Sequence, residues 1–412
     1  MDPILSAIAL LGDGPLTQAA LAEHVFPLFS RVLRRDTQEI YLANHSLGRP
    51  PDRMSADVAS AVEAWYSGMD GAWGPWFDEL TGFRLKTAQL TGALRPDCIV
   101  PKSSAGQGLR AVLNSFPTPP RVLTTTAEFD SVEILLQQYA ARGRAQVDWV
   151  KPRADGQVHA EDLIARLPGT DLVVVSHVFF ATGQVLAGLA GLIQAAHAAG
   201  AKVLLDCYHS YGVLPLNLTE LDADFAVAGS YKYLRGGPGC CWLYVHPRWL
   251  DSGLSTLDIG WFAKKEPFRY ERAPTPELAQ GGDGWLESTF APLPLFQARA
   301  GLDFVLAMGV ERLRRYSLAQ KQRLSELLAG HGISHFGADA AYGAFVTVPH
   351  ADAGGLAQRM KATGVNADAR SEGVRLCPDV LTTEAQLAEA VERLAQLLER
   401  SWSGSASVMG AC

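Results

Sequence analysis

Three consecutive segments restrict the fold more than any other feature of the chain. They are an unbroken apolar run, Leu172-Val173-Val174-Val175; a helical stretch over Leu189–Ala199 closed by Gly200; and a second apolar run, Val203–Leu205, ending in Asp206. A strand with no polar residue on either face is buried on both, the condition of a parallel sheet covered by helices on its two sides. Strand, helix and returning strand make a crossover unit, which is right-handed in such sheets. Ligands gather beyond the carboxyl ends of these strands. Ser176 and Asp206 both fall there. The expected fold class is α/β, a mostly parallel central sheet with helices on both faces.

At 412 residues the chain is too long for one simple core and suits a large domain with a smaller partner. Residues 51–300 are expected to form the large domain and 301–412 a small C-terminal α+β domain, with 1–50 contributing to the small domain and to the site entrance. A long helix across Leu295–Gly309 is expected to bridge the halves. Near the end, Thr383 and Gln386 form a capping box, and Leu387, Val391, Leu394 and Leu398 recur at helical spacing as the core face of a small-domain helix. Ser401–Cys412 is small and polar and reads as a mobile tail.

Composition narrows the function classes. A net charge of -7 argues against nucleic-acid binding, which needs basic surface for counterion release. The apolar run Ile4–Leu11 is short, follows Asp2 and lacks a basic leader, so it reads as an amphipathic helix, and no other stretch is long enough to span a membrane. Six cysteines show no Cys-x-x-Cys pairing and are expected to be reduced, placing the protein in the cytoplasm. No metal site is expected among the histidines.

The chemistry concentrates between Val203 and Val245. Asp206 ends its strand, His209 follows three residues later, and about 26 residues on comes Tyr231-Lys232-Tyr233, then Gly236-Gly237-Pro238-Gly239. Taken singly, Asp206 could cap a turn, Lys232 could sit on the surface and His209 could be a satisfied polar side chain. In this order they are the layout of a pyridoxal 5'-phosphate (PLP) site. An ionised carboxylate beside the pyridine nitrogen keeps that nitrogen protonated, so the ring can take up electrons from a breaking bond at the substrate α-carbon. Asp206 is the candidate. Lys232 is the candidate amine that holds the cofactor as a Schiff base and then moves protons, a task suited to a lysine desolvated among aromatics.

Two further segments supply the ends of such a site. Pro101-Lys102-Ser103-Ser104-Ala105-Gly106-Gln107-Gly108 precedes a helical pattern, so its hydroxyls and free backbone N–H groups can cradle a phosphate. A Ser-capped helix without a ligand is the plain alternative. Arg375, within Gly373-Val374-Arg375-Leu376, lies on a short apolar strand where an unpaired guanidinium would be costly. It is the candidate fork for a substrate α-carboxylate, with a structural salt bridge as the alternative.

At these residues the chain resembles the kynureninase family of fold-type-I PLP enzymes. The likeness runs through Leu204–Gly212, Asp224–Val227 and Tyr231–Gly239, and extends to Tyr41-Leu42-Ala43-Asn44-His45-Ser46-Leu47-Gly48, to Ser176-His177-Val178 with Thr182-Gly183, and to Gly260-Trp261-Phe262. It implies a homodimer with shared active sites and a small-molecule amino-acid substrate. Ser103, Ser104, Ala105, Tyr231 and Trp261 would then meet the cofactor phosphate, with Trp261 supplied by the partner subunit. Phe129 would stack on the cofactor ring, and His209 would orient Asp206. Thr289 would contact the cofactor or the substrate's aromatic side, and Arg375 its carboxylate. Asn44 and Ser46 would line the entrance, joined by Trp73 and Trp76. The implied reaction is hydrolysis of the Cβ–Cγ bond of L-kynurenine or a related β-acyl amino acid to anthranilate and L-alanine, with Tyr231 protonating Cβ.

The chain departs from the family at three places. Val132 stands where the family has an aspartate, Ala105 where it has a serine, and Phe290 where it has a proline. A class V aminotransferase, or another PLP lyase or epimerase, needs only Asp206, Lys232 and Arg375 and is the alternative. Desulfurase chemistry wants a cysteine on the loop before the carboxylate arginine, and Val365–Gly373 has none. A non-catalytic module on the same scaffold would not require the intact triad of residues.

Overall fold

The computed structural model describes residues 2–35 and 39–406. After a two-residue strand, β1 (Ile40–Tyr41), the chain lays down seven strands of one sheet. These are β2 (Ile99–Lys102), β3 (Arg121–Thr125), β4 (Gln146–Val150), β5 (Leu172–Ser176), β6 (Lys202–Asp206), β7 (Phe225–Gly229) and β8 (Cys241–Val245). Their order is β2-β8-β7-β6-β5-β3-β4. From β4 to β7 all pairings are parallel, and β8 alone runs against its neighbours. Every residue of β5, β7 and β8 is buried, as the unbroken apolar run requires of a sheet covered on both faces. The helix Leu189–Ala198 carries the chain from β5 to β6. Ser176 and Asp206 end up side by side in register at the carboxyl edge.

The C-terminal part builds a second layer. β9 (Val346–Val348), β10 (Val365–Asn366), β11 (Asp368–Arg370) and β12 (Gly373–Leu376) follow in order; β11-β12-β9 form an antiparallel sheet, while β10 pairs in parallel with β1. A separate apolar cluster there joins Leu324, Leu328, Val346, Val374, Leu387 and Leu394 to Ile40 and Leu42. Residues 1–50 are thus divided. Ile4, Ile8, Leu21, Val25 and Phe29 pack in the main cluster, and only the β1 neighbourhood joins the second. The short helix Pro3–Ala9 buries Ile4 and Ile8, so the N-terminal apolar run is amphipathic.

The long helix expected over Leu295–Gly309 forms as Pro292–Met308, and Gly309 joins it at an 83° bend to a second helix, Val310–Gly330. One expectation about the C-terminus is corrected. The expected tail from Ser401 begins inside the helix Glu384–Ala406, and residues 407–412 lie outside the described residues. The capping box forms as read: Thr383 N–H donates to Gln386 Oε1 at 3.0 Å, and Gln386 N–H to Thr383 Oγ1 at 3.1 Å.

Close approach fixes the turn that carries Lys232. Gly48 N–H donates to the Tyr231 carbonyl at 2.8 Å, and a Cβ on Gly48 would overlap the Lys232 carbonyl oxygen. Gly301, in the helix Pro292–Met308, presses as closely on the Leu234 carbonyl. Any side chain at either position would push the turn out of place.

Candidate active site

The carboxyl edge of the sheet opens on a cavity of about 170 Å3 whose wall carries Ser103, Phe129, Ser176, Asp206, His209 and Lys232. Ser104, Ala105 and Tyr231 also line it. Each comes from a segment just past a strand end, which is how residues distant in sequence converge.

Asp206 is 4% exposed, and its Oδ1 accepts from the Tyr208 N–H at 2.8 Å. Burial raises its carboxyl, opposed by that N–H and by Lys232. Lys232 is 6% exposed. Burial is the main cause that brings its amine down to about 7; Arg375 and Arg370 add to the shift, while Asp206 and Asp368 oppose it. Its Nζ meets His209 Nε2 at 2.5 Å, and His209 Nδ1 meets the Tyr233 hydroxyl at 3.2 Å. Burial and the cations Lys232 and Arg375 hold that imidazole well below its usual range, so it is neutral. A neutral ring beside a near-neutral amine can pass a proton in either direction. The Lys232 Nζ also lies 5.5–5.8 Å from the ring centres of Tyr208, Phe129 and Tyr231. Burial pushes the Tyr231 phenol up to about 12, which keeps it protonated.

Ser103 and Ser104 sit at the start of the helix Ala105–Leu113, where Ser104 Oγ caps the Gln107 N–H at 3.1 Å. Ser103 gives its N–H and hydroxyl to Gln107 Oε1, at 2.6 and 3.0 Å. The first N–H groups of a helix have no intrahelical acceptor and favour an anion.

Arg375 is 1% exposed on β12, directly opposite Asp368 across the β11–β12 hairpin. Its Nε donates to Asp368 Oδ1 at 2.8 Å, and a terminal nitrogen donates to the Phe180 carbonyl. Asp368 also accepts from the Ser46 hydroxyl and from Arg370 at 3.3 Å. Burial alone would raise Asp368, but His45, Arg375 and Ser46 hold it below the usual carboxylate range. Asn44 donates its Nδ2 to the Cys377 carbonyl at 2.8 Å. Ser46 and Asn44 therefore clamp the segment that follows β1 against the C-terminal sheet; neither lines the cavity that Asp206 faces, while Asn44 stands with Lys232 on the wall of a neighbouring one.

Four other expected residues stand apart from this cavity within the protomer. Thr289 is on the wall of an adjoining cavity that shares Ser103 and Gly239 with it. Trp261 donates its Nε1–H to the Pro267 carbonyl at 2.9 Å and packs with Trp73, Phe262, Phe268 and Tyr270. Trp73 and Trp76 belong to that same aromatic group. Of the departures, Val132 is 1% exposed in the main apolar cluster, while its neighbour Ser131 faces the Lys232 cavity.

Sequence reasoning missed a buried acid, a half-buried one and a base. Glu128 lies under the cavity, accepting from Ser176 Oγ at 2.6 Å and Thr125 Oγ1 at 2.9 Å. Burial pushes its carboxyl up to about 7 against those two hydroxyls. An acid immediately before Phe129 was the available signal. Asp368 was legible too, because a buried arginine on a hairpin demands a carboxylate across the register. His45, 1% exposed and brought down to about 4 chiefly by burial, packs on Phe345 at 4.9 Å between ring centres.

The wall fits PLP by its donor set. One cavity presents an amine held near neutrality, a strand-end carboxylate, an aromatic ring and a serine-rich helix start, the four groups that cofactor's chemistry asks for. Sheet order, the lone reversed strand β8 and this site define the fold-type-I class of PLP enzymes.

Comparison with known proteins agrees. The aminotransferase class-V family model matches residues 74–352, and the chain belongs to that PLP-dependent family. The kynureninase of Geobacillus thermodenitrificans is 30% identical over 386 residues, covering 88% of each chain. That of Bacillus anthracis is 29% identical over 368 residues, 83% of this chain and 84% of the other. Among solved structures, a C-DES mutant with glycine covalently linked to the PLP cofactor superposes with a TM-score of 0.80 at 20% identity, covering 90% of this chain and 98% of that one. An apo cysteine desulfurase from Thermococcus onnurineus NA1 gives 0.76 at 18% identity, with coverage of 90% and 98%. At such identities the likeness speaks for the fold alone.

Proposed function

We propose that the protein is a kynureninase-like hydrolase that cleaves the Cβ–Cγ bond of L-kynurenine, or a related β-acyl amino acid, to anthranilate and L-alanine. The observation that carries this reading is the similarity to kynureninases over 88% of both chains, coupled with a buried Lys232–His209 contact that can hold and move a proton.

PLP bound here would supply an electron sink for the bond broken at the substrate. Ser103, Ser104 and the helix start at Ala105 would hold its phosphate, Phe129 would pack against its ring, and Asp206, with His209 near the same turn, would keep its ring nitrogen protonated. Lys232 removes the α-proton with its free amine, and His209, held neutral, with Tyr233 orients that amine. Arg375, aimed by Asp368, takes the α-carboxylate. Tyr231, still protonated at neutral pH, gives a proton to Cβ. Asn44 and Ser46 hold the Arg375 side of the site in place. Trp261 and Thr289 complete it from the partner subunit of a homodimer.

Several features support that dimer. Tyr66, Met69, Trp65 and Tyr270 are exposed beside the Trp73–Trp261 aromatic group, at 80, 67, 57 and 69%. Large exposed apolar groups of this kind mark contact surfaces. We also propose the division into a large body over 51–300 and a smaller one over 301–412, and a cytoplasmic setting. For the latter, no single helix among the described residues is long and apolar enough to cross a membrane, and the described cysteines are unpaired and buried.

The second reading, a class V aminotransferase, draws support from Val132, whose burial in the apolar cluster removes the polar group found there in the kynureninases. A persulfide-forming reaction has no support among the described residues, since burial raises Cys241 on the cavity wall, Cys207 next to Asp206, and Cys377.

Anthranilate fluorescence after adding L-kynurenine to PLP-loaded protein, with Lys232→Ala as the blank, tests the proposal. Signal in wild type alone supports the hydrolase. A dark wild type whose cofactor absorbance still shifts with other amino acids replaces it with the aminotransferase.

A further inference from the structure

A second cavity lies behind Lys232, between the main sheet and the C-terminal layer. Lys232 is on the walls of both cavities. Most of the second wall is apolar, with Val213, Phe304, Val305, Leu313 and Ala344. Three oxygens of uncharged side chains on it are buried without a protein partner: Asn44 Oδ1, Ser317 Oγ and Gln320 Oε1. Two of these orientations are set by hydrogen bonds at the other end of the amide. Asn44 Nδ2 donates to the Cys377 carbonyl at 2.8 Å, and Gln320 Nε2 donates to the Asp379 and Thr382 carbonyls at 2.9 and 3.1 Å. Neither amide can flip without facing a carbonyl with its oxygen.

Buried polar atoms are satisfied by protein or by ordered water, and an internal water draws on two to four such groups. The cavity offers about 60 Å3 to water centres, where one water needs roughly 10–15 Å3. Arg235 and Asp379 form another part of the wall and pair with each other at 2.7 Å, and Arg49 also holds Asp379, so the one carboxylate there is already neutralised and Lys232 is left as a further cation. Tyr233 lines the same space, and its hydroxyl meets His209, which meets Lys232 on the other side. A hydroxyl, an imidazole and an amine thus link the two cavities.

We propose that this cavity is a water-binding site that supplies the hydrolytic water to the substrate held at Lys232. The inference rests on the hydrolase reading above. In that reaction the water oxygen bonds to the acyl carbon. The Cβ–Cγ bond breaks with its electron pair left on Cβ. One water proton ends on Cβ by way of protein groups and the hydroxyl stays on the aryl acid, so no oxidant or reductant is consumed. Removal of the α-proton needs Lys232 but not this water, which makes the two steps separable.

The test uses PLP-loaded Ala344→Leu and Ser317→Leu, which fill the cavity from two different elements, the segment before β9 and the helix Val310–Gly330; the second changes a helix position to a strong helix former. In deuterated water with L-kynurenine, both anthranilate release and deuterium at Cα of recovered substrate are measured. Anthranilate release is expected to fall at least tenfold, with deuterium incorporation within about twofold of wild type. Unchanged anthranilate release, or a parallel fall of both readouts in both variants, overturns the proposal. If wild type itself makes no anthranilate, it is the hydrolase reading that fails. Oxygen-17 relaxation dispersion then decides the site: loss of at least two long-lived waters in Ser317→Leu sustains water binding, and an equal count overturns it.

Discussion

Two buried titratable residues make the site pH-sensitive in opposite ways. Lys232, brought down to about 7 mainly by burial, is reactive only as the neutral amine, so its reactive fraction grows as pH rises through that value. The rate of PLP uptake by apoprotein should climb between pH 6 and 8, level off above, and be lost in Lys232→Ala. Stopped-flow absorbance checks this, and a midpoint near 10 would mean that burial does not tune the amine. Glu128 is raised to about 7, so between its unfolded value and 7 the folded protein holds more protons than the unfolded chain. Its contribution is then most favourable at low pH and is lost as pH rises through that window. Glu128→Gln, which keeps the shape and removes the titration, should gain stability over wild type as pH goes from 4.5 to 7, on the order of 3 kcal/mol at most. Denaturant melts at the two ends of the window check the sign.

At the scale of elements, the segment after β1 and the β11–β12 hairpin act as one clamp. Ser46 holds Asp368, and Asp368 holds Arg375. If Arg375 takes the substrate carboxylate, Ser46→Ala should raise KM about three- to tenfold and leave kcat nearly unchanged, with Ser46→Thr restoring most of it. Steady-state kinetics separate this from a structural lesion, which would lower kcat as well. Sequence reasoning placed Arg375 on its strand but not Asp368 across from it: the demand of a buried guanidinium for a carboxylate was legible, whereas the register that picks which carboxylate is settled only between the strands. The bend at Gly309 was missed for a similar reason. Both flanking segments are good helix, and the angle between them is set by what each packs on.

For the whole molecule, the surface around Tyr66, Met69 and Tyr270 is expected to close on a second copy. Light scattering should give twice the 44.3 kDa chain mass. Tyr270→Glu should shift the protein toward monomer and weaken PLP retention severalfold, since Trp261 packs on Tyr270 and is proposed to reach the partner's phosphate. A monomeric wild type that retains PLP and activity would remove both Trp261 and Thr289 from the site.

The α/β class, Asp206, Lys232, the serine-rich helix start and the PLP cofactor were legible in the chain itself. Each is written in local signals: an apolar run that demands burial on both faces, a carboxylate at a strand end, an amine among aromatics. What tertiary structure decided lies between segments far apart in sequence. It brought Glu128 under the cavity, paired Arg375 with Asp368, tied Ser46 to Asp368 and Asn44 to the Cys377 carbonyl, and left Trp261 and Thr289 off the wall that Asp206 shares with Lys232. It also made the cavity behind Lys232 from Asn44, Ser317 and Gln320, residues whose unpartnered oxygens meet only once the two layers pack. Local chemistry follows from residue type and spacing, whereas a partner, a cavity or a shared proton exists only where packing brings separate elements within hydrogen-bonding reach.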